Sequence, residues 1–284
     1  MRQMNKKGIH HLVWHADVGP KTTELLPLIR AAGYDGIEIP IFAPQELDTQ
    51  SLRAAVEDAG LACTTSSALP EGLSLINEDV SQDSICWFHT VIKATAELGA
   101  PILCGPLAVP VGELPGRGYT SNEWDTAVQS FKEISLMAAD YGVVLALEPL
   151  NRFETFFINT IAAGIRLAEA VDNPSFGLLL DTFHMHIEEK STLAAIRLAV
   201  PHLKHFHCSE NDRGTVGSGQ VLWKEVFAAL KEIHYGGWLV VESFGAAMPE
   251  LARATCMWRP PAASPTILAN DSLRFIQQQL AVMA

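Results

Sequence analysis

The sequence predicts an α/β fold, a (β/α)8 barrel built as one domain across residues 1–284. Three features predict it. Short apolar runs alternate with longer amphipathic stretches from end to end, the pattern of repeated βα units rather than of segregated strands and helices. The same glycine punctuation recurs ahead of run after run. A chain of 284 residues cut into eight units leaves about 35 residues for each, the size of a strand, a helix and two loops. A doubly wound open sheet would also alternate in this way, but no Gly-x-Gly-x-x-Gly follows the first run, and no Pro/Ser-rich linker divides the chain.

The eight runs, in order, are GIHHLVW from Gly8, DGIEIPI from Asp35, LACTTSS from Leu61, PILCGPL from Pro101, VVLALEP from Val143, FGLLLDT from Phe176, LKHFHCS from Leu203 and WLVVESF from Trp238. Segments of helical spacing separate them. In EVFAALKEI, Val226, Phe227, Leu230 and Ile233 recur at offsets of three and four and so share one helix face. Helices are expected to stop at Ala32-Gly, Ala59-Gly, Leu98-Gly, Tyr141-Gly and Tyr235-Gly-Gly. A glycine at such a stop supplies the left-handed cap that turns the chain back into the sheet.

Composition narrows the function. Hydrophobic residues make up 48% and charged residues 18%, enough for a large core and far from a disordered composition. The formal net charge is -12, and no Lys/Arg cluster reverses it locally, which speaks against nucleic acid and other polyanionic partners. The opening MRQMNKKGIHHLVWH lacks the apolar run of a signal peptide. No stretch approaches the roughly 18 to 20 uninterrupted apolar residues of a membrane span, so a cytoplasmic protein without membrane contact is expected. Cys63, Cys86, Cys104, Cys208 and Cys256 are odd in number and lack Cys-x-x-Cys spacing, against both a disulfide framework and a zinc finger. Most of them are expected as small core residues in a reducing compartment.

Four ionisable residues fall at or near the carboxyl ends of four successive runs: Glu148, Asp181, His207 and Glu242. They recur at intervals of about 26 to 35 residues, each close to one βα unit, and in a barrel such positions converge on one mouth. Any one of these carboxylates alone could be a helix cap or a loop contact. Together, three carboxylates in one space repel unless a cation holds them. Oxygen donors with one imidazole suit a moderately hard divalent ion with open positions, Mn2+, Co2+ or Mg2+, better than a thiolate-rich zinc site. The flanking loops, from Glu148 to Glu154, from Asp181 to His186 and from His207 to Arg213, are rich in polar side chains suited to a hydroxylated molecule. Arg152 is expected to partner an acidic side chain, and His186 to be a surface residue on a short helix. Trp14, Trp258 and Phe244 are expected either in the core or in the walls of a sugar pocket.

These motifs resemble a known family. Glu148-x-x-Asn-Arg-Phe-Glu154, Leu180-Asp-Thr-Phe-His-Met-x-Ile-Glu-Glu189, His205-Phe-His207 with Glu210 and Arg213, a Gly217-x-Gly219 turn before Trp223, and Val241-Glu242-x-Phe244 are similar to the ketose 3-epimerases, D-tagatose 3-epimerase and D-psicose (allulose) 3-epimerase. Those enzymes are xylose-isomerase-like TIM barrels. The likeness is dense from Gly142 to Phe244, reappears at Trp258-Arg259, and fits in outline at Gly8 to Trp14 and Gly33-Tyr-Asp-Gly-Ile-Glu38.

The resemblance implies that Glu148, Asp181, His207 and Glu242 ligate one divalent ion, Mn2+ first, and that Glu148 and Glu242 are the catalytic acid/base pair. It implies further that Glu154, His184 and Arg213 contact the O1 to O3 end of the sugar, and that the protein is a homodimer or homotetramer. His10 and Trp14 are expected to touch substrate as well. His10 stands where these enzymes often carry an aromatic, and Ser209 replaces a glycine that usually precedes the glutamate matched by Glu210. With the segments Ala68-Leu-Pro-Glu-Gly and Ala108-Val-Pro-Val-Gly, these departures are expected to bear on the choice of sugar and to leave the metal site untouched.

The expected reaction is epimerisation at C3 of a free ketose of the D-tagatose, D-psicose/D-fructose or L-ribulose type. It proceeds by deprotonation and reprotonation through a metal-stabilised enediolate. An aldose-ketose isomerase of a short sugar or of hydroxypyruvate would use the same site, and a polyol dehydratase or a barrel that only binds its ligand are further rivals.

Overall fold

The computed structural model describes residues 5–245, 252, 253 and 255–283. Eight parallel strands close into a barrel in sequential order, the first pairing with the last. They are β1 (Lys6–His10), β2 (Gly36–Pro40), β3 (Ala62–Ser66), β4 (Ile102–Gly105), β5 (Val144–Leu147), β6 (Phe176–Asp181), β7 (Leu203–Cys208) and β8 (Trp238–Val241). Each of the eight apolar runs contributes one strand. The first run differs in extent. It starts at Lys6 and ends at His10, where the His10 ring accepts the Leu12 N–H and bends His11–Val13 into a 3-10 turn.

Helices form the outer ring: α1 (Pro20–Ala32), α2 (Thr49–Asp58), α3 (Ser81–Glu97), α4 (Ser121–Asp140), α5 (Ile161–Val171), α6 (Thr182–Glu188), α7 (Thr192–Leu198), α8 (Trp223–Glu232) and α9 (Pro265–Met283). Their starts follow side-chain chemistry. Thr120 and Glu123 form a reciprocal capping box on α4, while Thr160 and Ser191 accept backbone N–H groups at the starts of α5 and α7. Four glycine stops lie at positive φ, at Gly33, Gly60, Gly99 and Gly142. The fifth, expected at Tyr235-Gly-Gly, is displaced: His234 takes the left-handed conformation, and the Tyr235 N–H closes the helix end on Leu230 O at 3.0 Å. Asp172, also left-handed, ends α5 without a glycine. Short polar and imidazole side chains tolerate that region better than branched ones, so the reversal needs no glycine there.

Both faces of the sheet are buried. One face packs on the helices through fully buried Tyr34, Phe88, Phe131, Phe206 and Phe227. Along the strands the parity then puts Glu38, between Ile37 and Ile39, and His205 and His207, on either side of Phe206, on the inward face. The inward face therefore carries these polar groups, and Cys104, Ala146 and Leu179 form a small separate apolar cluster. Cys63, Cys104 and Cys208 are buried as expected, but Cys86 and Cys256 are exposed. Cys86 lies on the outer face of α3, so the core reading holds for three of the five. Among the described residues no helix is long and apolar enough to cross a membrane.

Gly105 links the frame to the barrel mouth. It closes β4 at φ 121°, and a Cβ there would strike the Ser67 carbonyl oxygen. Its own carbonyl accepts the Glu148 N–H at 2.9 Å. Backbone cannot yield as a flexible side chain can, so Gly105→Ala is expected to cost about 3 kcal/mol of stability. Urea unfolding measures it, and a loss under about 1 kcal/mol would show that the loop relaxes.

Candidate active site

Asp181 ends β6 and also starts α6. Its Oδ1 accepts the backbone N–H groups of Phe183 (2.6 Å) and His184 (3.4 Å), and its Oδ2 accepts from the Ser209 hydroxyl (2.7 Å) and Arg213 Nη1 (3.1 Å). Asp181 pairs in register with His207 on β7, so the two side chains stand abreast. Glu148 follows β5 by one residue and Glu242 follows β8 by one. One donor atom from each of Glu148, Asp181, His207 and Glu242 lies within 4.8 Å of all the others, and every one of the four is buried.

The donor set fits a dication on two grounds. Glu148 Oε1 and His207 Nδ1 are buried and have no hydrogen-bond partner in the protein, which is costly unless something else binds them. The charge agrees as well. With all three carboxylates ionised, the buried Arg213 guanidinium leaves two net negative charges, which a divalent cation cancels. Oxygen-rich coordination with one nitrogen matches a hard or borderline ion.

The environments of the carboxylates differ. Burial, then the neighbouring Glu242 and Asp181, push the Glu148 carboxyl well above the usual range. Burial opposes ionisation of Asp181 too, but Arg213, His207 and His184 outweigh it and hold the group well below that range. Buried carboxyls displaced from their usual range cluster at functional sites.

Arg213 is held rigidly. It sits at φ 58°, with its carbonyl accepting the Ser243 hydroxyl. Its guanidinium lies 4.0 Å from the Phe183 ring centre and 4.9 Å from that of Phe244. Nη1 bridges Asp181 and Glu242 Oε2 (2.7 Å), while Nη2 lies 3.2 Å from His184 Nε2. Burial, helped by the Arg213 charge, pulls His184 down to about 3, so this imidazole is neutral near pH 7. Its Nδ1 accepts the Asn151 N–H at 3.0 Å. The single proton is therefore on Nε2, which lies 3.2 Å from the donor-only Arg213 Nη2 and 3.4 Å from Glu148 Oε1. Two rigid donors, from Arg213 and His184, thus converge beside the four-residue cluster.

Glu154 is half-buried and accepts from Asn151 Nδ2 at 2.7 Å, so Asn151 ties the loop after β5 to α6. Glu210 faces away from the cluster. It accepts from the N–H groups of Asn211, Gly217 and Val221 and from Trp223 Nε1, clamping the Gly217-x-Gly219 turn. Arg152, 63% exposed, pairs with Glu188 through two nitrogens, as expected of a structural arginine, and His186 is exposed on α6.

Of the remaining positions, His10, Phe244 and Ser209 border the cluster. Both His10 nitrogens are occupied, Nδ1 by Leu12 N–H and Nε2 by the Ser66 hydroxyl at 2.7 Å. Trp14 is half-buried against the core, and Phe244 is buried on Arg213. Trp258 is 74% exposed, so its core placement fails. Ser209 departs from expectation too. Its hydroxyl is on Asp181, so this substitution reaches the cluster that it was expected to leave untouched.

Glu38 was quoted only as part of an outline match. It is fully buried, and it holds His207 Nε2 on one oxygen and His205 Nε2 on the other, both at 2.7 Å. The one sequence signal was a carboxylate inside an otherwise apolar strand.

The chain is similar along its length to known proteins. The family model "Xylose isomerase-like TIM barrel" matches residues 26–268. A Synechocystis sp. protein named "Probable ketose 3-epimerase" is 37% identical over 275 residues, covering 96% of each chain. An L-ribulose 3-epimerase of Mesorhizobium japonicum is 32% identical over 96% of this chain and 93% of its own. The crystal structure of a Methylomonas sp. D-allulose 3-epimerase in complex with D-allulose superposes with a TM-score of 0.92 at 30% identity, over 98% of both chains. Within the xylose isomerase-like TIM barrels, the chain belongs to the ketose 3-epimerases.

Proposed function

We propose that this protein inverts C3 of a free ketose, with Glu148 and Glu242 as the acid/base pair and Glu148, Asp181, His207 and Glu242 as the ligands of one divalent ion, Mn2+ in the first place. The observation that carries the reading is the convergence of two carboxylates, from the ends of β5 and β8, on one buried point beside the N–H donors of Arg213 and His184. The relatives named for L-ribulose and D-allulose support the ketose class.

Inverting a carbon beside a ketone means taking a proton from one face and returning one to the other, so two bases must flank it. Glu148 and Glu242 come from strands separated by β6 and β7 around the barrel, which lets them address opposite faces. When bound, the ion supplies Lewis-acid stabilisation of charge on the sugar's adjacent oxygens. Neutral His184 donates its Nε2 proton to the same end of the sugar, and Arg213 adds a second donor, both in place before reaction. Glu154 contacts the O1 to O3 end, and Trp14, half-buried against the core, is proposed as a further substrate contact. Arg213 Nη1, bonded to both Asp181 and Glu242, keeps the latter carboxylate oriented.

Incubation with D-fructose, D-tagatose, L-ribulose and erythrulose in deuterated water tests this. A C3 epimer carrying deuterium at C3 is expected. An aldose product would point to isomerisation instead, and complete retention of the original C3 hydrogen would sink the two-base route. A cytoplasmic homodimer or homotetramer is part of the same proposal, with light scattering after size exclusion to measure the assembly.

A further inference from the structure

We propose that Glu38 is a positioning residue that makes His207 a ligand through Nδ1 by capturing the proton of its Nε2; this rests on the reading of His207 as a metal ligand. Glu38 lies on β2 and His207 on β7, strands that are not neighbours in the barrel. Their contact crosses the interior, so no ladder hydrogen bond sets it. Glu38 Oε2 is already taken, accepting from the Thr64 hydroxyl at 2.8 Å and from His205 Nε2 at 2.7 Å. Oε1 is left for His207 Nε2, at 2.7 Å.

A neutral imidazole has one N–H. If the proton sat on Nδ1, the Nε2 lone pair would face a carboxylate oxygen at hydrogen-bonding distance, two acceptors without a hydrogen between them. The proton therefore belongs on Nε2. The lone pair then stays on Nδ1, the atom without a protein partner, 3.3 Å from Glu242 Oε1 and 3.7 Å from Asp181 Oδ2. An outer carboxylate on a ligating histidine fixes both its tautomer and its ring angle. Glu38, Cys104, His205 and His207 also crowd within 4.8 Å. The Glu38 hydrogen bonds to the two histidines account for that crowding as a brace under the ligand.

Glu38→Gln keeps the shape, but it offers one acceptor oxygen where two histidine N–H groups need one each. Mn2+ affinity, read from the electron paramagnetic resonance signal of the free ion, is expected to fall about 10- to 100-fold. The metal-free variant should melt within a few degrees of the parent, and kcat should recover to within several-fold once Mn2+ saturates. Glu38→Asp, a shorter carboxylate, is expected to lie between the two.

Three results would overturn the proposal: Mn2+ affinity of Glu38→Gln within twofold of the parent, a kcat that stays low at saturating Mn2+, or unfolding of both metal-free variants, which would assign Glu38 to structure alone. His207→Asn separates this from the underlying reading. If that variant binds Mn2+ as the parent does, His207 is no ligand. If it loses the ion while Glu38→Gln keeps it, only the positioning role fails.

Discussion

Glu148→Gln and Glu242→Gln are each expected to lower kcat by about 10^3- to 10^4-fold, at the upper end of what one proton-transfer group contributes. Glutamine keeps an oxygen for a metal ion but cannot carry the proton. Mn2+ affinity measured alongside separates lost binding from lost chemistry. The two variants should also be asymmetric. With one base removed, the epimer whose C3 hydrogen faces the surviving carboxylate should still exchange that hydrogen with deuterated solvent, without inverting, and the other variant should show the same for the opposite epimer. A folded, metal-loaded variant that keeps more than a tenth of its turnover excludes the mutated residue from the pair.

Chelation is expected to abolish turnover and to soften the fold. Glu148, Asp181 and Glu242 are buried within 4.8 Å of one another through their donor atoms, and Arg213 offsets only one of the three charges. Binding that favours the folded state adds about 2.7 kcal/mol at a hundred-fold excess over Kd. For a chain of this size that corresponds to a rise in Tm of about 4–5 °C. Calorimetry with and without Mn2+ measures it, and Mn2+ added back should restore both Tm and turnover. An enzyme equally active after exhaustive chelation would end the metal reading, whatever its melting temperature.

The four-residue cluster was legible because each member ends an apolar run and the runs recur with one unit's spacing. Barrel closure then does the rest, since strand ends of a parallel barrel share one mouth. Arg152 was legible as a structural cation from its charge and loop position, but its partner Glu188, 36 positions on, was not. The reversal after α8 was misread because a glycine pair stood beside the true left-handed residue, His234. Of the two readings of Trp258 the core one failed, because an aromatic residue carries no sign of its own exposure. Ser209 was misassigned because nothing next to it in sequence shows that its hydroxyl meets Asp181, 28 positions earlier.

By itself the sequence determined the repeat, the strand ends and the residue types that meet at the mouth, because period, punctuation and chemistry are all local properties. Tertiary structure alone decided which atoms of those residues face one another. Glu38 and His207 are 169 positions apart and on strands that do not pair. Their contact exists because the barrel's inward face alternates along each strand and its narrow axis brings opposite strands within side-chain reach. The same closure leaves His207 Nδ1 bare toward the carboxylates, sets Arg213 between two aromatic rings and puts the His184 proton on Nε2. Hydrogen-bond direction and tautomer depend on partners brought in from distant strands, and no spacing in a linear chain encodes them.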